Sequence, residues 1–141
     1  INKRRNLQRS SKMSLKDLKK YSPLVLRIGI AVVFLWFGFS QLKNPASWTR
    51  MVPDYINLII PLSKPSLIYL NGLFEIILAT LLLLGIYPRI VSLLLGLHLF
   101  HITTIVGYGA VGARDFALTI ATFAVFLQGS DEFCLNKLKK Q

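Results

Sequence analysis

Residues 69–89 read YLNGLFEIILATLLLLGIYPR. The stretch is long and apolar enough to cross a bilayer, which takes about 20 residues of helix. Asn71 and Glu75 interrupt it, four residues apart and therefore on one helical face. A charged group near the middle of a membrane helix costs roughly 2.5–3.5 kcal/mol on insertion scales. A leucine would remove that cost. Glu75 therefore either has partners inside the membrane or serves a purpose there.

The whole chain has the same character. Of its 141 residues 53% are hydrophobic and only 16% charged, with a mean hydropathy of +0.53. That composition suits a multi-pass membrane protein rather than a soluble domain. The net charge of +11 is unevenly spread, with lysine and arginine gathered in residues 1–21 and 137–141. Beside membrane spans, basic tails set topology and attract anionic lipid, so nucleic acid is not expected as a partner. Cys134 is the single cysteine, which excludes an intramolecular disulfide or a CxxC redox centre. The chain begins at Ile1, and Met13 is a candidate start. The first apolar run lies too deep, and too many spans follow it, for a cleavable signal peptide.

Read in order, the chain predicts an all-α membrane protein, a bundle of four transmembrane helices. Residues 1–22 form a basic tail with a short amphipathic patch around Leu15 and Leu18, and Pro23 suits a helix start. The first span is 23–42. Arg27, Ala31, Phe34, Gly38 and Gln41 share one face of it. Arg27 either snorkels to the near interface or makes an inward-facing ion pair. Residues 43–66 contain Pro45, Pro53, Pro61 and Pro65 and are too broken to span. They read as an interfacial segment, lying flat as an anchor or folding over the bundle as a lid. The second span is 67–86, with Gly72 and Ala79 forming a small-residue stripe beside the polar one. The third is 90–108, with His98 and His101 on one face. The fourth is 114–130. There Asp115, Thr119 and Thr122 share one face, and Ala117, Ala121 and Ala124 form a packing seam beside it. Gly107–Gly112 spells GxGxxG, but without a preceding strand it reads as an inter-helix turn rather than a dinucleotide loop. Residues 131–141 form a second basic tail.

Four spans place both termini on one side, and the distribution of lysine and arginine makes that side cytoplasmic. Residues 43–66 and the Gly107–Gly112 turn then face outward. At about 1.5 Å per residue, Glu75 and His98 fall near mid-membrane, His101 and Asn71 somewhat further out, and Arg114 and Asp115 at the outer mouth. These groups form a candidate polar core that opens outward beneath the 43–66 segment.

Several chemistries fit parts of this core. His98, His101 and Glu75 resemble a two-histidine, one-carboxylate metal set only thinly, and no metal is expected. A bis-histidine haem fits worse, because axial ligands must approach from opposite sides and both histidines lie on one helix face. Glu75 with a histidine suits a proton relay. A quinone would use the same groups at its ring oxygens, with Phe, Trp and Leu around it. A purely structural lock, in which polar groups hydrogen-bond across helices to fix one packing, stays open.

The segments LRIGIAVVFLWFGFSQLKNP (26–45), NGLFEIILATLLLLGIYPRIVSLLLGLHL (71–99) and GARDFALTIATFAVFL (112–127) resemble the DoxX/DoxD family of small four-helix membrane proteins. The likeness covers residues 24–129. It implies a four-helix bundle in a prokaryotic cell membrane. The family is named from small subunits of a thiosulfate:quinone oxidoreductase, and other members are described as membrane partners of redox or thiol-stress enzymes. Its polar positions fall on Arg27, Asn71, Glu75, Arg89, Arg114 and Asp115, and less securely on His98 and His101. The resemblance thus implies at most a subunit of a quinone-linked oxidoreductase, with quinone as the candidate cofactor and an oxidoreductase as the candidate partner. Glu75 and the histidines would handle protons, and Arg27 and Arg114 would hold counter-charges. The other reading is a non-catalytic binding or scaffold protein with a small or lipid-like ligand in the pocket. Assembly as a homo-oligomer fits either reading.

Overall fold

A computed structural model describes residues 15–138, with side chains over 18–137. The remainder of both basic tails lies outside the described residues. Helix α1 runs Leu15–Lys43, and a 3-10 helix at Pro45–Met51 follows it. The short α2 is Ile56–Ile59, α3 is Lys64–Leu84, α4 is Pro88–Val106, α5 is Ala110–Gln128, and a last turn α6 is Leu135–Leu138. Among the described residues four helices, α1, α3, α4 and α5, are long and apolar enough to cross a membrane. The all-helical, four-span fold expected from the sequence is therefore present. Helices α1 and α3 pack as one pair and α4 and α5 as another, with lighter contacts joining the pairs.

The helix ends differ from the sequence boundaries for local reasons. Helix α1 begins at Leu15, so Pro23 lies inside it and does not start it. Proline removes one backbone hydrogen bond, and the turn before Pro23 is exposed, where water can take the vacated carbonyl. Helix α3 starts at Lys64, earlier than expected, because Ser63 caps it and Pro65 sits in its first turn, where a missing N–H costs nothing. It stops at Gly85, which adopts the left-handed conformation at φ 69°. Helix α5 starts at Ala110, so the turn expected at Gly107–Gly112 is shorter and Gly112 is helical. The Gly107 carbonyl lies against Gly112 where a side chain would stand, so only glycine permits that close turn.

The interior is a narrow apolar column of Ile30, Phe34, Leu78, Leu82, Leu95 and their neighbours. Around it the usual pattern of a soluble bundle is inverted. Trp36, Leu97, Ile120 and Leu127 point outward, Trp36 with 72% of its surface exposed, while Arg27, Gln41, Glu75, Ser92, Asp115, Thr119 and Thr122 are buried. Only lipid makes that arrangement favourable, because apolar surface meets hydrocarbon and polar groups find partners inside. On α5 the buried face is Gly112, Asp115, Thr119, Thr122 and Val125. The alanine seam is not the inner face: Ala117 is exposed, and Ala121 and Ala124 are only half-buried. The threonines can face inward because each hydroxyl donates to a carbonyl one turn earlier, Thr119 to Asp115 and Thr122 to Leu118.

Both ends of the described chain meet at one end of the bundle. Tyr21 stacks on Phe133 with ring centres 5.5 Å apart, and Lys20 pairs with Glu132 at 2.6 Å.

Candidate functional site

Close helix contact builds the site at the other end. A Cβ on Gly38 would stand 2.6 Å from Ile76 and 2.8 Å from the Gly72 carbonyl, and one on Gly72 would stand 2.9 Å from the Gly38 carbonyl. The two glycines let α1 and α3 touch backbone to backbone. Gln41 and Glu75, each one turn from that contact, are thereby brought within reach of each other.

Glu75 is 2% exposed and takes part in three hydrogen bonds. Gln41 Nε2 donates to Oε2 at 3.0 Å. Asn71 Nδ2 donates to Oε1 at 3.1 Å and also to Gln41 Oε1 at 2.8 Å. His98 Nε2 lies 3.2 Å from Oε1 and is half-buried, with its ring edge-on to Phe74 at 5.3 Å. The buried carboxyl group is thus met by polar partners from three helices, as burial of such a group requires.

These residues line a cavity of about 230 Å³. The hydrogen-bonded group of Gln41, Asn71, Glu75 and His98 is its floor, with Phe37 of α1 and His101 and Ile102 of α4 beside it. Trp48, Met51 and Val52 of the 3-10 segment and Ile56 cover it. The 43–66 stretch therefore folds over the bundle, while its Leu58 and Ile59 point away, 88% and 75% exposed, as an anchor would. Lys64 pairs with Asp54 at 2.5 Å and closes this loop. That hydrogen bond and the lysine charge hold the Asp54 carboxyl below its ordinary range.

At the mouth, Arg114 Nε donates to the buried Asp115 Oδ1 at 2.8 Å. The Arg114 guanidinium lies over the Phe37 ring, 5.2 Å from its centre, and Phe37 meets Trp48 edge-on at 5.9 Å. A wider groove of about 680 Å³ beside Tyr108 lies between α4 and α5. It is lined by Phe100, Phe116, glycines and threonines and carries no titratable group except the exposed Tyr108, so the smaller cavity is the candidate site.

Six of the seven residues singled out from the sequence, Asn71, Glu75, His98, His101, Arg114 and Asp115, line this one cavity. His101 sits at its edge, largely exposed, and makes no side-chain bond to Glu75. No group of three or more His, Cys, Asp or Glu among the described residues is placed to share a metal ion. Arg27 lies elsewhere. It is fourteen positions from Gln41 on the same helix, about 21 Å at 1.5 Å per residue. It is 2% exposed, and its Nε donates to Asp131 Oδ2 at 2.8 Å while Nη1 donates to the Leu82 and Leu83 carbonyls at 2.7 and 2.6 Å. These carbonyls are in the last turn of α3, where a cation is favoured. The two arginines hold Asp131 and Asp115, and Glu75 is left to neutral amides and a histidine.

Asp131 also accepts from the Phe133 N–H at 2.8 Å. Burial pushes its carboxyl upward, but the Arg27 hydrogen bond, the Phe133 N–H and the arginine charge outweigh that and hold it below the ordinary carboxylate value. Cys134 is fully buried against Gly85. Burial, and then the Asp131 charge, push its thiol up.

Sequence reasoning missed Gln41 and Asp131 as site residues. Gln41 was legible as a polar residue on the Arg27 face near the C-terminal end of span one, level with Asn71. Asp131 carried no such signal, because it lies beyond the last span.

A family model described as DoxX matches residues 22–108, and the chain belongs to the DoxX family. The match covers the first three membrane helices. None of the curated proteins and none of the solved structures matches the chain.

Proposed function

We propose that this DoxX-family protein is the membrane subunit of a redox assembly and that its cavity receives the ring of a quinone-type carrier. The reading also sets the bundle in the cell membrane, with termini cytoplasmic and the cavity opening outward. The observation that carries it is the Glu75–His98 contact at 3.2 Å in the floor of a cavity walled by Phe37 and Trp48. Two titratable groups in contact can take up or release a proton at a ring oxygen. The size is suitable: a cavity of about 150 Å³ holds benzene, and this one, at about 230 Å³, has room for a substituted ring. Electrons would pass to or from a partner protein.

The test is binding in lipid nanodiscs. Trp48 fluorescence, in a Trp36→Phe background, should be quenched saturably by a short-tailed benzoquinone. Quenching that rises linearly without saturation, as for partition into lipid, rejects the ring site. If Glu75→Gln leaves quinone turnover unchanged in membranes containing the chain and its partner, the proton role is wrong.

A second reading has one observation in its favour. No buried side-chain nitrogen or oxygen among the described residues lacks a hydrogen bond, as expected of a polar lock in a non-catalytic binding or scaffold protein. A lipid in the native mass spectrum, with no quinone, favours that reading.

A further inference from the structure

Glu75 fixes the orientation of the amides beside it. A carboxylate can only accept, so the Gln41 group 3.0 Å from Oε2 is the NH₂. That turns Gln41 Oε1 toward Asn71. Asn71 stands 2.8 Å from this oxygen and 3.1 Å from Glu75 Oε1, so it presents its own NH₂ to both. Both Asn71 N–H groups are then engaged, as is one of the two on Gln41. With Glu75 ionised, His98 Nε2, 3.2 Å from Oε1, carries the proton of that contact.

What remains unused on the floor is mostly acceptor. An ionised carboxylate has about four acceptor positions, and Glu75 fills three of them, leaving one on Oε2. Gln41 Oε1 accepts one hydrogen bond. Asn71 Oδ1 accepts none from the described residues. Since no buried side-chain oxygen among those residues is unpartnered, that oxygen keeps accessible surface, on a half-buried residue that lines the cavity. Against these acceptors the floor sets a single Gln41 N–H, and the remaining side-chain donors on the cavity lining belong to Trp48, His101 and Arg114.

We infer that the cavity selects a neutral ring ligand that donates hydrogen bonds, a phenolic or hydroquinone hydroxyl, over the carbonyl form of the same ring. The inference rests on the ring-ligand reading above and adds the redox form that the site prefers. The aromatic wall favours a ring over an aliphatic alcohol. A cationic ligand would have to pass Arg114, whose guanidinium already occupies the face of Phe37 at the mouth. A carbonyl placed on the floor would oppose its oxygen to Glu75 Oε2 and Asn71 Oδ1.

The test is anaerobic titration of the wild-type protein in nanodiscs with a short-tailed benzoquinone, its quinol and a ring-matched benzylammonium, read by isothermal calorimetry. A hydrogen bond to a charged acceptor predicts that the quinol binds about tenfold tighter than the quinone, or more. Equal or tighter quinone binding overturns the inference and leaves the ring site standing. Tighter benzylammonium binding overturns it in favour of a cation site. Binding of none of the three overturns the ring site itself. In Glu75→Gln, which offers a donor and an acceptor, the preference should shrink to about threefold or less while quinone binding persists.

Discussion

Arg27 Nε donates to Asp131 Oδ2 at 2.8 Å, which ties the first membrane helix to the segment after the last across 104 positions of sequence. The same guanidinium holds the final carbonyls of α3. One side chain therefore gathers three parts of the chain at the end of the bundle remote from the cavity. Its partners fill the role that snorkelling to water would otherwise play.

Removing the cation should damage this junction badly. Arg27→Met leaves a buried aspartate and two helix-end carbonyls without their donor, and breaking one side of a buried pair costs about 3–5 kcal/mol. Asp131→Asn keeps an acceptor for the guanidinium and should cost clearly less. Thermal unfolding in detergent ranks the two. Arg27→Met melting like the wild type would show the junction to be idle.

The pH dependence follows from the depressed Asp131 carboxyl. A group whose folded value lies below its unfolded one contributes fully above the unfolded value and loses that contribution as pH falls through the folded value. The ordinary value is 3.8, so this contribution should be constant from pH 7 to about pH 5 and fade only below about pH 4. The comparison is the melting temperature of the wild type against Asp131→Asn across that range. A gap that closes between pH 7 and pH 5 contradicts the assignment.

Cys134 reports on the same junction. It is fully buried and its thiol is pushed up, so maleimide labelling at pH 7.5 should be slow in the folded protein, since the thiolate is the reactive form. Arg27→Met should speed labelling about tenfold or more by freeing the segment that carries Cys134. Equal rates in both proteins would mean that the segment is held by something else.

The Gly38–Gly72 contact should couple packing to the cavity. Gly38→Ala places a methyl 2.8 Å from the Gly72 carbonyl, an overpacking that costs about 1–3 kcal/mol. Spreading α1 from α3 also draws Gln41 from Glu75, so ring-ligand affinity should fall together with the melting temperature. A loss of stability with unchanged affinity would separate the two.

The four spans were legible because each is a long apolar run, and hydrocarbon tolerates little else. That Asn71, Glu75, His98, Arg114 and Asp115 fall toward the same end of the bundle was legible too, since helical rise converts sequence position into height. Height says nothing about azimuth. Arg27 shares a helix face with Gln41, yet the two serve opposite ends of the bundle. The alanines of α5 looked like a seam, but the threonines turn inward because their own helix satisfies their hydroxyls. Pro23 suggested a start that an exposed helical turn simply overran.

The sequence by itself determined a four-helix membrane protein with a costly carboxylate in its second span, because burial in lipid is a property of composition and length. Only the tertiary structure decided which groups share that cost. The Gly38–Gly72 approach brings Gln41 to Glu75, and the return of the chain after α5 gives Asp131 to Arg27. Both pairings depend on helix rotation and chain return. Neither is encoded in local spacing, because hydrogen bonds across helices are made only when the bundle closes.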